Sequence, residues 1–384
     1  MTYRRNFLKR AGYTTISALL TTGFLQKDKQ NENHSIDAAM ANSISGNTPL
    51  RQLAAAKGKR YGTAISSDIL LKEKDYANLI ARECSIATPN GELKWNATEP
   101  QPGKFTFESA DAIADFCRKH KMELHGHTLF WHMAKPDWVP YPPTLKMIER
   151  HVKGVMGHYR NSPVLKSWDI ANEIIADNEN ETDNATYGLR RGVKPELIRD
   201  LFLFAASVDS SKKFYLNDFG IEGATWKSDR FLKMIEYLKN KGVKIDGAGI
   251  QSHLWFSTAY AFDEKGFKSV LKRLNDLEVK PVITELDIII DTPLPDSIKK
   301  LDQMVADSYK RYLDLCFAAK VDTVITWGIS DRHTWIRHPD WIPGKTFRDN
   351  PQLHRFLRPL PFDENMKPKL ARNAIAQAFR QAVP

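Results

Sequence analysis

Short apolar runs alternate with amphipathic, helix-like stretches from about residue 50 to the end of this 384-residue chain. The runs are rich in β-branched and aromatic residues, and eight of them begin near residues 61, 85, 123, 167, 213, 247, 281 and 323. The stretches between them have helical periodicity, as in DRFLKMIEYLKNKG. Because strand and helix patterns alternate eight times without an interdomain linker, the sequence predicts an α/β fold, a single-domain (β/α)₈ TIM barrel over residues 50–384.

Two of these runs carry a glutamate near their ends, Glu173 in KSWDIANEII and Glu285 in KPVITELDIII. In a parallel barrel the carboxyl ends of the strands form one rim, where functional side chains collect. Two carboxylates facing one substrate can divide the cleavage of a glycoside, one as general acid and base and the other as nucleophile. The pair therefore suggests a sugar-cleaving enzyme, although either glutamate alone is equally consistent with a solvated residue at a strand end.

Polar and aromatic side chains end six consecutive predicted strands, the third to the eighth. They are His127, Trp131, His132, Asn172, Glu173, Asn217, Asp218, Gln251, His253, Glu285, Asp287 and Trp327. Indole faces suit the apolar face of a sugar ring, and amide and imidazole groups suit its hydroxyls. Glu285 and Asp287 are two apart on a strand and share a face. His253 on the neighbouring strand could therefore bridge them and keep Glu285 ionised.

His125 and His127 also share a face and have the HxH spacing of metal-dependent barrel hydrolases. That motif belongs on the first strand and needs a lysine and further histidine and aspartate ligands on later strands. Here it lies on the third strand, and only His253 follows at a strand end. We therefore expect no metal and no organic cofactor, and we interpret one of the two histidines as a packed or sugar-contacting residue.

The first 41 residues differ from the rest of the chain, and we interpret them as a signal peptide and linker. YRRNFLK at residues 3–9 looks like a twin-arginine export signal, and a moderately apolar stretch follows from Ala11 to Leu25. Cleavage could occur at the small residues around Met40, and an uncleaved anchor is the alternative. We expect export by the twin-arginine route to the periplasm or beyond as a secreted protein, with no membrane association other than export.

The net charge of +10 indicates little about partners. Six Lys/Arg against three Asp/Glu lie in the first 41 residues, and the remaining basic residues are mixed with acidic ones. We therefore expect no nucleic-acid partner, and we expect a monomer. Cys84, Cys117 and Cys316 permit at most one disulfide and have no metal-like spacing, so we interpret them as buried thiols.

From about residue 55 onward the chain resembles family 10 of the glycoside hydrolases, the retaining endo-β-1,4-xylanases. The matching stretches are, in family order, LKWNATEPQPGKFTFESAD, GHTLFWH, WDIANE, YLNDF, DGAGIQSHL, ITELDI, TWGISDRHTW and PFDENMKPK. The resemblance implies double displacement on internal linkages of β-1,4-xylan, with Glu173 as acid/base and Glu285 as nucleophile. It implies that Asn172 holds the sugar's 2-hydroxyl and that His253 and Asp287 support Glu285. The substrate-lining residues that it implies are Lys94, His127, Trp131, Gln251, Trp327 and Trp335.

Three positions depart from the family pattern in the sugar cleft. The family's ENxxKW appears here as NGELKW, so Asn90 and Gly91 replace the Glu and Asn that bind the second glycone sugar, and Ala134 replaces a Gln. A site that lacks hydrogen-bonding partners discriminates less sharply among sugars. Glu92 or a substituent on the substrate could compensate. The same chemistry on a decorated xylan or another β-glycan, and a non-catalytic carbohydrate-binding barrel, remain as alternatives.

The stretch at residues 336–360 is longer than the corresponding loop of the family and contains Trp341 and several arginines. Two interpretations remain open from the sequence: a surface excursion, or an element that contributes to substrate binding at the barrel mouth.

Overall fold

The computed structural model describes residues 48–257, 262–342 and 344–383. The predicted signal peptide and linker at residues 1–41 lie outside these ranges. Nine strands occur within them: β1 (Arg60–Ile65), β2 (Ile86–Pro89), β3 (Glu123–Gly126), β4 (Leu165–Asn172), β5 (Lys213–Asp218), β6 (Gly247–Ile250), β7 (His253–Ser257), β8 (Lys280–Thr292) and β9 (Thr323–Thr326).

Eight of these strands form a closed parallel barrel, which confirms the predicted (β/α)₈ fold. Neighbouring strands follow the order β6, β5, β4, β3, β2, β1, β9, β8, and β6 pairs with β8 to close the circle. All carboxyl ends therefore meet at one rim, as the sequence predicted.

The sixth and seventh apolar runs differ from the prediction. The sixth run forms two strands, because Ser252 between β6 and β7 has a left-handed backbone with φ of 64°. β7 then pairs with β8 in a register that places His253 opposite Asp287. With this added partner β8 continues to Thr292, so Glu285 lies inside a strand rather than at its end. It still lies at the end of the barrel itself, because the pairing of β6 with β8 stops at Ile283.

Helices surround the barrel. They are α1 (Leu50–Ala55), α2 (Ser67–Lys72), α3 (Lys74–Glu83), α4 (Trp95–Thr98), α5 (Glu108–Lys119), α6 (Leu145–Tyr159), α7 (Pro195–Asp209), α8 (Trp226–Asn240), α9 (Glu264–Asp276), α10 (Ile298–Ala318), α11 (Gly344–Asp349) and α12 (Leu370–Gln381), with 3₁₀ turns at Glu179–Glu181, Asp331–His333, Trp335–Arg337 and Pro351–Phe356. In α9 the buried residues Phe267, Val270, Leu271 and Leu274 have the spacing of one helical face. Helices of this kind cover the outside of the barrel and shield its strands from solvent.

Buried thiols belong to this core. Cys84, Cys117 and Cys316 are all buried and free, which confirms the interpretation of the three cysteines. Across the described ranges, no helix is both long enough and apolar enough to cross a membrane.

Candidate active site

Glu173 directly follows β4 and has a left-handed backbone with φ of 53°, which is uncommon for a residue other than glycine. Hydrogen bonds on both sides hold this conformation. The amide of Glu173 donates to the carbonyl of Asn217 at 2.9 Å. Its carbonyl accepts from Nε of the buried Arg190 at 2.7 Å. The strained backbone is therefore fixed by its surroundings, a pattern typical of functional sites.

A chain of hydrogen bonds joins the two glutamates. Gln251 Nε2 donates to Glu173 Oε1 at 3.1 Å and to Asn172 Oδ1 at 3.2 Å. Asn217 Nδ2 donates to the same Asn172 oxygen and to Glu285 Oε1, both at 2.8 Å. All five side chains are buried. Two carboxylates that are far apart in sequence thus share one buried, hydrogen-bonded site.

The second oxygen of Glu285 belongs to another series of contacts. His253 Nε2 lies 3.2 Å from Glu285 Oε2, and His253 Nδ1 lies 3.0 Å from Asp287 Oδ1. The indole of Trp335 donates to Asp287 Oδ2 at 2.6 Å. The structure therefore places His253 between Glu285 and Asp287, as the strand pattern predicted.

The charges in this series reinforce one another. Burial alone would lower the pKa of His253, but the neighbouring Asp287 and Glu285 raise it to about 10. Burial alone would raise the pKa of Glu285, but the hydrogen bond from His253 and the electrostatic influence of the nearby His127 and His253 rings lower it overall. Glu285 is therefore held as a carboxylate, and His253 stays cationic up to about pH 10.

Replacing His253 by Ala should move the acidic limb of the kcat/KM profile to higher pH. The change removes the donor that lowers the pKa of Glu285, so this carboxylate would become protonated at a higher pH than in the parent. Loss of a hydrogen bond to a charged group, about 1.5–3 kcal/mol, corresponds to a roughly 10- to 100-fold lower kcat/KM below neutral pH. Trp335→Phe is the control, because it keeps the contact between His253 and Glu285; equal limb shifts in both variants would contradict this assignment.

The two histidines of the HxH pair both contact Asp169. His127 Nδ1 lies 2.8 Å and His125 Nε2 lies 3.0 Å from Asp169 Oδ2. The ring of His127 packs edge-on against Trp327 at the mouth, whereas His125 stacks on Tyr215 deeper in the barrel. Within the described part of the chain, no group of three or more His, Cys, Asp or Glu side chains is placed so that it could hold a metal ion.

Aromatic and cationic groups line the same mouth. Nζ of Lys94 lies 4.8 Å from the ring centroid of Trp131 and 6.0 Å from that of Trp327. The ring of His253 lies 6.4 Å from Trp327 and 5.0 Å from Trp335. The structure thus brings the substrate-lining residues named from the sequence together around the two glutamates: Lys94, His127, Trp131, Gln251, Trp327 and Trp335.

Glu92 does not compensate for the polar sugar contacts that are missing at Asn90 and Gly91, as the sequence had suggested it could. Its Oε1 accepts from the amide of Ser67 at 2.6 Å, at the start of α2, and its Oε2 accepts from the amide of Gly91 at 3.0 Å. Its carboxylate therefore fixes the backbone around the rim, and the polar contacts missing at Asn90 and Gly91 are not supplied by a free Glu92.

Described residues on both sides of position 343 in the longer stretch, residues 336–360, pack onto the barrel. Ile336, Phe347, Phe356 and Leu357 are buried in the core. Trp341 lies edge-to-face on Trp335, with ring centroids 5.9 Å apart. This stretch is therefore an integral part of the wall behind Asp287.

Two residues supporting the site were given no role in the sequence analysis. Asn217 was named only as polar at a strand end, yet it contacts both Asn172 and Glu285. Glu222, which is not on a strand, accepts from the amide of Ser252 at 2.7 Å and so holds the left-handed turn before His253. No spacing pattern signals such contacts. Only the closed barrel brings Asn217 on β5 to Glu285 on β8, and Glu222 to the turn at Ser252.

Known proteins are similar to this chain in sequence and in fold. The family model Glycosyl hydrolase family 10 matches residues 49–378. The chain is 30% identical over 345 residues to endo-1,4-beta-xylanase B of Thermotoga neapolitana, covering 88% of this chain and 93% of that protein. It is 32% identical to beta-1,4-xylanase of Dictyoglomus thermophilum, covering 77% and 82%. Native xylanase 10B from Thermotoga maritima superposes with a TM-score of 0.74 at 28% identity, covering 87% and 98%. Xylanase 10B from Thermotoga petrophila RKU-1, solved in complex with xylobiose, gives a TM-score of 0.74 at 28% identity, covering 88% and 98%.

Proposed function

The chain belongs to glycosyl hydrolase family 10 and is a glycoside hydrolase; from this we propose that it is a retaining endo-β-1,4-xylanase that works by double displacement. The observation that carries the proposal is the hydrogen-bonded chain that links Glu173 and Glu285 in one buried site. Xylanase relatives along most of the chain support xylan as the substrate.

Glu285 is the nucleophile in this proposal. Both of its oxygens accept hydrogen bonds, one from Asn217 and one from the cationic His253, and its lowered pKa keeps it ionised. It attacks the anomeric carbon and forms a glycosyl ester, and the carboxylate loses its negative charge as this bond forms. Asn217 and His253 hold the carboxylate in one orientation during this step, so little reorganisation is needed.

Glu173 is the acid and base. It donates its proton to the leaving glycosidic oxygen as the bond to the anomeric carbon breaks. The same carboxylate then takes a proton from water, which attacks the glycosyl ester, releases the sugar and frees Glu285. The net reaction adds one water to one glycosidic bond. It requires the two carboxyl groups to lie about 5–5.5 Å apart.

The remaining mouth residues suit a neutral sugar chain. Trp131, Trp327 and Trp335 offer ring faces and edges to pyranose rings, and Asn172 and Gln251 offer amide groups to hydroxyls. A second candidate, the same chemistry on a decorated xylan or another β-glycan, is favoured by the missing polar side chains at Asn90, Gly91 and Ala134. We also propose export by the twin-arginine route, on the strength of the YRRNFLK sequence.

Chromatography of the products tests this proposal. Purified protein lacking residues 1–41 would be incubated in parallel with linear xylan, arabinosyl- or glucuronosyl-substituted xylan, and mixed-linkage glucan. We expect short xylo-oligosaccharides from xylan at early times, as internal cleavage requires. If products appeared from glucan alone, the substrate would be another β-glycan and not xylan. If the protein bound these polysaccharides but formed no product, the non-catalytic carbohydrate-binding barrel would be favoured.

A further inference from the structure

Four ionic side chains lie together beside Glu173, and three of them have no role in the chemistry described so far. The group, here called the Lys227 group, consists of Asp177, Arg190, Asp218 and Lys227. Lys227 Nζ lies 2.9 Å from Asp218 Oδ1 and 3.4 Å from Asp177 Oδ1. Arg190 Nη2 lies 2.9 Å from the same oxygen of Asp177. Arg190, Asp218 and Lys227 are buried, so two cations and two anions balance one another largely out of contact with solvent.

The Lys227 group holds the backbone that follows β4. Arg190 Nε donates to the carbonyl of Glu173 at 2.7 Å, and Asp218 Oδ2 accepts from the amide of Ile175 at 3.2 Å. The side chain of Asp177 is bound to Arg190 in turn. Contacts with one group thus fix the chain along residues 173–177. They begin at the left-handed residue that carries the acid and base carboxyl group.

Lys227 is the member that binds both carboxylates of the group. Its Nζ also lies 3.3 Å from the ring centroid of Phe219, a cation–π contact. Burial raises the pKa of Asp218, and the Lys227 ammonium opposes this rise. Without the ammonium, Asp218 would lose the cation that it binds inside the protein and would take up a proton more readily. Its hydrogen bond to the amide of Ile175 would then weaken, because hydrogen bonds to ionised acceptors are the stronger ones.

We propose that Lys227 is a positioning residue for Glu173: it balances the charges of Asp218 and Asp177, which with Arg190 hold the Glu173 carboxyl group towards the leaving glycosidic oxygen. The inference deepens the proposed function and rests on it, because the role of Glu173 as acid and base belongs to that proposal. Lys227 acts through the two aspartates and not on the substrate. Its loss should therefore affect most the reactions whose leaving group needs a proton.

A second group of the same composition, here called the Lys369 group, supplies matched controls. Lys369 Nζ lies 2.8 Å from Asp331 Oδ2 and 3.6 Å from Asp302 Oδ1. Arg358 Nη2 lies 2.9 Å from Asp302 Oδ2. The ammonium of Lys369 donates to the carbonyls of Arg358 and Leu360, at 2.7 and 2.9 Å. This group therefore holds the chain that precedes α12, and not the chain that carries Glu173.

Two substrates with different leaving groups test the inference. We would measure kcat/KM on a linear xylo-oligosaccharide, whose leaving sugar needs a proton, and on an aryl β-xylobioside whose phenol leaves without one. Lys227→Met and Asp177→Asn change the Lys227 group. Lys369→Met and Asp302→Asn make the same exchanges in the Lys369 group, and the two aspartate side chains are equally exposed, at 16%. Thermal unfolding of each variant would show whether it is folded.

In Lys227→Met we expect kcat/KM on the xylo-oligosaccharide to fall by about 10- to 100-fold, as a misplacement of about 1 Å can cause. The value on the aryl glycoside should change far less, because its first step needs no acid. Asp177→Asn should change the ratio of the two values in the same direction. Lys369→Met and Asp302→Asn should keep the parent ratio, even where they lower the unfolding temperature.

Three results would overturn the role of Lys227: equal losses on both substrates in Lys227→Met, no loss on either, or the same change of ratio in the control variants. The parent would still cleave the xylo-oligosaccharide in each of these cases, and the proposed function would stand. If Lys227→Met does not fold, Asp177→Asn decides by the same criteria. A parent protein that cleaves neither substrate would remove both proposals.

Discussion

Replacing Glu285 by Gln should abolish xylan hydrolysis, lowering kcat by a factor on the order of 10⁴–10⁶, as for other covalent nucleophiles. The amide cannot attack the anomeric carbon, and no neighbouring carboxylate can substitute, because Asp287 accepts from Trp335 and His253. Gln has nearly the same volume, so the barrel should remain folded. Its Nε2 group would face a donor, Asn217 or His253, at a cost of about 1–3 kcal/mol in the free energy of unfolding.

A smaller replacement separates loss of the nucleophile from general damage. Glu285→Ala leaves space in which azide can attack the anomeric carbon of an aryl β-xylobioside directly, which gives the α-azide. Glu196→Gln, at an exposed position in α7, is a matched control that should retain kcat within about twofold, as surface exchanges usually do. Xylan turnover that survives in Glu285→Gln would contradict the role of Glu285.

Replacing Glu173 by Ala should lower kcat/KM on xylan by about 10²–10⁴-fold, the usual contribution of a general acid–base group. An aryl β-xylobioside whose phenol leaves without protonation should lose far less in its first step. The ester on Glu285 would then accumulate, because no base activates water. Rapid-mixing measurements of phenol release should therefore show a burst followed by a slow steady state.

Azide distinguishes the two glutamates by the stereochemistry of the product. In Glu173→Ala it should attack the α-linked ester on Glu285 and give the β-azide, the opposite anomer from that expected with Glu285→Ala. Equal losses on xylan and on the activated glycoside, without a burst, would show that Glu173 does not act on the leaving group.

Hydrophobic periodicity predicts most of the fold from this sequence. The helical stretch LKMIERHVKGVMGHY became α6, and the eight apolar runs supplied the eight strands of the barrel. A parallel barrel places the carboxyl ends of all its strands at one rim, so the predicted barrel also predicted that Glu173 and Glu285 lie close together. The local hydrophobic pattern and the barrel topology agree here, so periodicity alone was enough to predict the fold.

Contacts made only after the barrel closes could not be read from the sequence. The split of the sixth run at Ser252 depends on Glu222, which lies 30 residues earlier and holds the turn through the amide of Ser252. The continuation of β8 past Glu285 depends in turn on β7. Glu92 was a candidate sugar ligand by position, but its carboxylate is bound to backbone amides. Each case depends on tertiary partners that periodicity does not encode.

The most direct test of the proposed mechanism is a proton NMR time course of linear xylo-oligosaccharide hydrolysis, which follows the anomeric signals of the new reducing ends. Double displacement through Glu285 inverts the anomeric carbon twice, so the β-anomer should appear first and the α-anomer only later, by mutarotation. First appearance of the α-anomer would mean a single displacement by water and would contradict a covalent role for Glu285.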